Sequence, residues 1–210
     1  MAGPGTDSAL SRPRVEGDRE QEIFDATLEV LADVGYDRLT MDAVATRARA
    51  SKATLYRRWS TKASLVIDAL LSHKDTPATP DTGTLRGDLL ASFCGLGGLT
   101  DKPQVAIFAS VLTAISRDED FADLFRRDFI GPKQRAVATI FERARERGEI
   151  GADVDLNLLA PALPGVVLHR LFMLGEQPTI ELITDVIDQI ILPAATRRTH
   201  QTANQEKDHS

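Results

Sequence analysis

The stretch from Thr40 to Lys62, TMDAVATRARASKATLYRRWSTK, restricts the fold more than any other part of the chain. A hydroxyl residue opens each of two short runs: Thr40 precedes Met41 to Ala48, and Ser51 precedes Lys52 to Trp59. A Thr or Ser oxygen accepts from the free amides of a first helical turn, so each hydroxyl marks a helix start. Only a tight turn fits between the two runs. Val44 and Ala45 on the first helix, with Leu55 and Trp59 on the second, supply the apolar contact across it. The remaining surface is cationic: Arg38, Arg47, Arg49, Lys52, Arg57, Arg58 and Lys62 stand against the single acid Asp42. Two short helices joined at a turn, with a basic outer face, make the helix-turn-helix pattern, whose second helix enters the DNA major groove.

The whole chain carries a net charge of −6, which opposes DNA binding only if the charge is spread evenly. A local basic patch on an acidic body instead favours one docking orientation. The residues Thr40-x-Asp42-x-Val44-Ala45, followed by Ser51-Lys52-Ala53-Thr54-Leu55-Tyr56-Arg57-Arg58-Trp59-x-x-Lys62, resemble the tetracycline-repressor (TetR) family of bacterial transcription regulators. One departure stands out. The family usually has Ala-Gly-Val-Ser at the turn, where this chain has Ala48-Arg49-Ala50-Ser51. A non-glycine in a left-handed helix cap costs about 1 kcal/mol, so Arg49 is expected to strain the turn, to add a phosphate contact, or both.

The N-terminal residues of a recognition helix go deepest, which makes Lys52 and Thr54 the expected contacts to base edges. Ala53 is small enough to let the backbone approach, and Ser51 with the first amides suits a phosphate. The resemblance implies a backbone or base contact for Tyr56 and phosphate contacts for Thr40, Arg58 and Lys62. Arg57 and Arg47 stand open between phosphate binding and plain solvation. Leu55 and Trp59 read as core.

Along the rest of the chain the pattern is helical throughout, giving an all-α class with no internal repeat. Residues 1–16 read as a disordered tail, in which Arg12 and Arg14 are either solvated or reach a minor groove. Residues 17–74 form the helix-turn-helix domain, whose first helix carries Ile23, Phe24, Leu28, Leu31 and Val34 at helical spacing and ends at Gly35. Residues 75–84, DTPATPDTGT, read as a linker, because two prolines and a glycine cannot continue a helix. Residues 85–193 read as a helical effector-binding and dimerisation domain, with a break expected at Gly131-Pro132 and a stop at Pro193. Residues 194–210 read as a disordered tail.

Two late helices are apolar over a broad width. Leu163, Val167, Leu171 and Leu174 on one, with Ile183, Val186, Ile187, Ile190 and Ile191 on the next, exceed what one neighbour covers. They are expected to form a four-helix dimer interface, the alternative being the domain's own core. A two-fold axis also matches a palindromic operator, the double-stranded DNA partner the resemblance implies. The resemblance further implies an effector cavity. Phe93, Phe108, Leu112, Phe129, His169, Phe172 and Met173 could line it and would suit a small hydrophobic or aromatic ligand; the aromatic and aliphatic ones are equally credible as core, and His169 as a core or interface residue.

Other chemistries find little support. Gly95-Leu96-Gly97-Gly98 lacks the strand and spacing of a dinucleotide loop and reads as a helix break. His73, His169, His200 and His209 have no metal-ligand spacing, and the sole cysteine, Cys94, reads as a small buried residue. The run ERARERGE, Glu142 to Glu149, reads as a solvated helix face. No cofactor, metal or catalytic group is expected. No apolar run approaches the ~20 residues of a membrane span, and the N-terminus lacks a signal-peptide core, so a cytoplasmic location with no membrane partner is expected. The reading is a sequence-specific DNA-binding regulator, a repressor released by a small effector. An all-helical enzyme would need a buried ionisable cluster, which the sequence does not announce. A protein-interaction scaffold would use the apolar faces alone.

Overall fold

The computed structural model describes residues 14–72, 79–93 and 102–196, and every regular element among them is helical. The described residues up to Ser72, together with Ala106–Phe125, form one compact unit; the remaining described residues form a second. Cys94, Gly95 to Gly98, His73, both predicted tails up to Pro13 and from Arg197, and the Arg14 side chain lie outside the described residues.

In the first unit, α1 (Arg14–Arg38) carries the predicted apolar stripe and departs from helical geometry at Gly35, φ 75°. α2 (Met41–Arg47) and α3 (Lys52–Arg58) follow, each with its hydroxyl cap in place. Thr40 Oγ1 accepts from the Ala43 amide at 3.1 Å, and Ser51 Oγ accepts from the Thr54 amide at 3.1 Å. α4 (Lys62–Ser72) packs against α1. α6 (Lys102–Arg117) leads into α7 (Glu119–Leu124), which packs on α4. Ile23, Phe24, Leu31, Val44, Leu55, Trp59, Leu65, Val66 and Phe121 are buried, and each large side chain withdrawn from water contributes about 1.5–3 kcal/mol.

The second unit holds α5 (Leu85–Phe93), α8 (Gly131–Glu146), α9 (Leu156–Leu159), α10 (Ala162–His169), α11 (Ile180–Val186) and α12 (Leu192–Ala195). Wider π-helical turns at Phe125–Ile130, Arg170–Leu174 and Ile187–Ile191 join several of these. The expected break at Gly131-Pro132 is absent, because Pro132 lies in the first turn of α8, where its missing N–H is not needed. Pro193 likewise begins the last turn instead of ending the helix.

Leu85, Leu89, Ile140, Phe141, Leu163, Val167, Ile183, Val186, Ile187 and Ile191 share one core in this unit. For most of the faces expected at a dimer seam, this favours the alternative, the domain's own core. Leu163, Val167, Leu171, Ile183, Val186, Ile187 and Ile191 are buried within the subunit itself. Periodicity marks a face as apolar without saying what covers it. Leu174 and Ile190 are exposed, together with Leu158, Met173 and Ile180. The membrane expectation also changes: Leu156–Leu174, at a mean hydropathy of 1.4 and 22% buried, is long and apolar enough to cross a membrane by length and composition alone. Pro161, Pro164 and Arg170 punctuate it, and scanning for unbroken apolar runs passes over such a segment.

Candidate nucleic-acid interface

α3 is pinned from beneath. Leu55 is buried, the Trp59 ring meets Phe24 edge-on at 5.7 Å, and Trp59 Nε1 donates to Asp68 Oδ2 at 2.8 Å. That anchoring leaves Lys52, Ala53, Tyr56, Arg57 and Arg58 exposed on the outer side, with Thr54 half-buried against the Ser51 cap. The Ser51 and Thr54 hydroxyls lie 2.8 Å apart. Seven of the ten residues expected at DNA therefore share this one helix and its cap, and Thr40 and Arg49 are exposed nearby in sequence.

The turn preceding α3 takes the form expected of glycine, but with arginine. Arg49 has φ 50°, the Ala50 amide donates to Ala45 O at 2.8 Å, and the Arg49 amide donates to Thr46 O at 3.2 Å. This is the doubly hydrogen-bonded Schellman ending, and its left-handed residue disfavours a Cβ. Arg19 Nη2 donates to Arg49 O at 2.6 Å and holds the turn from α1. Arg19 escaped the sequence reading, because a bond spanning so much chain leaves no local signal.

Most of the cations are already engaged. Arg47 bridges Glu29 and Asp33 at 2.9 Å each, and the hydrogen bonds it donates to Asp33 and then Glu29 raise its pKa. Lys52 Nζ donates to Asp42 Oδ2 at 2.6 Å, and that bond and charge push its ammonium above the usual lysine range. Arg58 pairs with Glu20 and lies over the Trp59 ring. Lys62, expected on phosphate, turns inward: Nζ donates to Tyr36 O at 2.9 Å and sits 4.2 Å from the Tyr36 ring centre. Among the described residues, the Arg57 side chain makes no ion pair.

Tyr36 gathers the first unit. Its ring lies 4.5 Å from that of Phe121, and its hydroxyl donates to Asp118 Oδ2 at 3.0 Å. Burial, then the Asp118 hydrogen bond and the charges of Asp118, Asp120 and Asp37, raise its pKa well beyond the tyrosine range. A shallow groove of about 530 Å³ opens here, lined by Tyr36, Asp37, Lys62, Arg117, Asp118, Glu119 and Asp120.

The residues expected at an effector cavity are divided between the two units. Phe108 and Leu112 belong to the first unit, with Leu112 exposed. In the second unit Phe129 is buried with Lys133 Nζ 3.6 Å from its ring centre, Phe93 packs on the core, and Phe172 is half-buried. His169 and Met173 are exposed, because a mid-helix position on an apolar stretch does not settle which side faces inward.

A buried ionic cluster that the sequence did not announce lies in the second unit. Asp88 is fully buried; Oδ1 accepts from the Thr82 amide at 2.5 Å and hydroxyl at 2.8 Å, and Oδ2 pairs with Arg147 at 3.4 Å. Gly87 permits this approach, since a Cβ there would lie 2.2 Å from Thr82 Oγ1. Arg147 also holds Glu149 at 2.6 Å, and Glu149 Oε2 accepts from the Leu85 amide at 2.8 Å, capping α5. Arg143 binds Asp81 at 3.2 Å and the Pro80 carbonyl. The run at Glu142 to Glu149 is therefore no merely solvated face: Arg143, Arg147 and Glu149 tie α8 to residues 80–88. Every carboxylate in the cluster has a structural partner, and no group of potential metal ligands occurs among the described residues.

Comparisons with known proteins agree with this architecture. Residues 23–69 match the family model described as "Bacterial regulatory proteins, tetR family", and residues 79–190 match "Tetracyclin repressor-like, C-terminal domain". An HTH-type transcriptional regulator of Mycobacterium tuberculosis is 37% identical over 86% of this chain and 90% of its own. A DNA-binding transcriptional repressor of Mycobacteroides abscessus is 36% identical over 84% and 96%. The crystal structure of a TetR family transcription regulator aligns with a TM-score of 0.64 at 31% identity, covering 84% of this chain and 98% of that one.

Proposed function

Because the chain belongs to the TetR family of bacterial regulatory proteins and is a DNA-binding transcriptional regulator, we propose that it acts as a homodimeric repressor on a palindromic operator. The observation that carries this reading is the anchored α3, whose buried Leu55 and Trp59 fix a helix with its polar side turned outward. In this reading Lys52 and Thr54 read base edges, Ala53 allows close approach, and Thr40, Arg49, Ser51, Tyr56, Arg57 and Arg58 meet the backbone. Lys62 leaves the set, because its ammonium is spent on the Tyr36 carbonyl and ring. The exposed Leu158, Met173, Leu174, Ile180 and Ile190 supply the dimer contact in place of the buried residues first expected. Repression is the activity named for the Mycobacteroides relative. Release by a small hydrophobic or aromatic effector completes the proposal, with the half-buried Phe93 and Phe172 as apolar candidates for its site.

Selection of bound duplexes from a random pool tests it. The expected product is an inverted repeat with half-sites about one helical turn, ~34–36 Å, apart, and Lys52→Ala or Thr54→Ala lowers discrimination by about 1–3 kcal/mol. Recovery of no enriched sequence from a well-folded protein at modest ionic strength would reject the operator.

A further inference from the structure

Lys52, the residue proposed to read bases, is not a free cation. Its ammonium donates to Asp42 Oδ2 at 2.6 Å, joining the first turn of α3 to the first turn of α2. Both side chains are well exposed, at 65% and 55%, so the pair is not a packing device, and exposed pairs of this kind stabilise a fold little. A carboxylate here stands beside the proposed reading helix, where it repels phosphate.

We infer that Asp42 is a specificity-determining residue: it withholds the Lys52 charge from phosphates while leaving the ammonium able to reach a base edge. This deepens the DNA-reading role proposed for Lys52 and rests on it. An ammonium has three donors and no acceptor. One is committed to Asp42, and two can turn to the O6 and N7 acceptors of a guanine. Binding to arbitrary sequence draws on phosphate neutralisation and counterion release. A paired lysine brings no net charge to that interaction, so Asp42 weakens the arbitrary-sequence complex more than the operator complex. The pair also limits the directions in which the flexible Lys52 side chain points, which reduces the ordering lost on base contact.

The test compares full-length protein on the selected duplex and on a scrambled duplex of equal length, across a salt series. Asp42→Asn is expected to tighten scrambled binding about fivefold, to steepen its salt dependence by about one counterion, and to change operator binding less than about twofold. The ratio of the two affinities falls accordingly. Asp42→Glu keeps the charge and is expected to keep the wild-type ratio, which separates loss of the pair from fraying of α2. In a Lys52→Ala background, Asp42→Asn is expected to have less than half its effect on the ratio. Equal tightening on both duplexes, an unchanged salt slope, or an undiminished effect without Lys52 would overturn the assignment. Wild type that binds neither duplex would instead reject the underlying DNA reading, so the two failures are distinguishable.

Discussion

Charge does opposite work in the two units. Beside the reading helix, Arg47, Lys52 and Arg58 meet carboxylates in pairs that stay exposed to water. In the second unit, Asp88 has lost its water entirely and depends on Thr82 and Arg147. The first kind of pair adds little to stability and leaves its groups within reach of DNA; the second is expensive to break and holds α5 to α8. The two helix endings repeat the contrast. The amides after α8 close the same Schellman pattern as those after α2, Glu149 donating to Ala144 O at 2.9 Å, but there the left-handed residue is Gly148, φ 77°. The unstrained residue sits in the structural unit, and the strained Arg49 sits at the proposed DNA face.

The largest effect should come from the buried pair. Asp88→Ala is expected to lower unfolding free energy by about 3 kcal/mol in urea denaturation, because the Thr82 amide and hydroxyl lose their acceptor and Arg147 loses its buried carboxylate, keeping only Glu149 close by. Burial alone raises the Asp88 pKa, but the Thr82 amide and hydroxyl with the charges of Arg147 and Arg143 outweigh it and hold the group below the usual carboxylate range. The stability it contributes is complete above the unfolded value, near pH 4, and is lost as pH falls through the lower folded value. The difference between wild type and variant should therefore shrink only below about pH 4, and a difference that shrinks near neutrality would assign the effect elsewhere.

Lys62→Met lies between the extremes, with an expected loss of about 1–2 kcal/mol as the Tyr36 carbonyl and ring lose the ammonium. If it instead flattens the salt dependence of DNA binding with stability intact, Lys62 belongs with the phosphate contacts after all. Arg49→Gly is expected to raise stability by about 1 kcal/mol through relief of its positive φ. A simultaneous drop of about one counterion in the salt slope would show that the arginine also meets phosphate. The smallest effect is expected for Glu29→Gln, within about 0.5 kcal/mol and vanishing in high salt. A loss as large as that of Asp88→Ala would erase the distinction between the two kinds of pair.

What could be read in the chain was local. The Thr40 and Ser51 caps, the Leu55 and Trp59 anchors and the left-handed position at Arg49 are each set by neighbours within a turn or two. Pairings across long separations left no such trace. Nothing near Arg147 in sequence points to Asp88, and nothing near Lys62 points to the Tyr36 carbonyl. The broad apolar faces misled for a related reason: Ile187 and Ile190 look alike in a helical pattern, yet one is enclosed and the other bare. The prolines at 132 and 193 were read as interruptions because a helix start and a helix stop look similar when the turn before them is π-helical.

The position of Tyr36 between Lys62, Asp118 and Phe121 reaches beyond stability. A reading head whose floor includes a segment from the middle of the chain is not a removable cassette. Cutting after α4 would strip Phe121 and Asp118 from Tyr36 and open an aromatic wound in the fragment left behind. Grafting this head onto another body means carrying Ala106–Phe125 along with it, so recombination between relatives has to respect three boundaries along the chain instead of one.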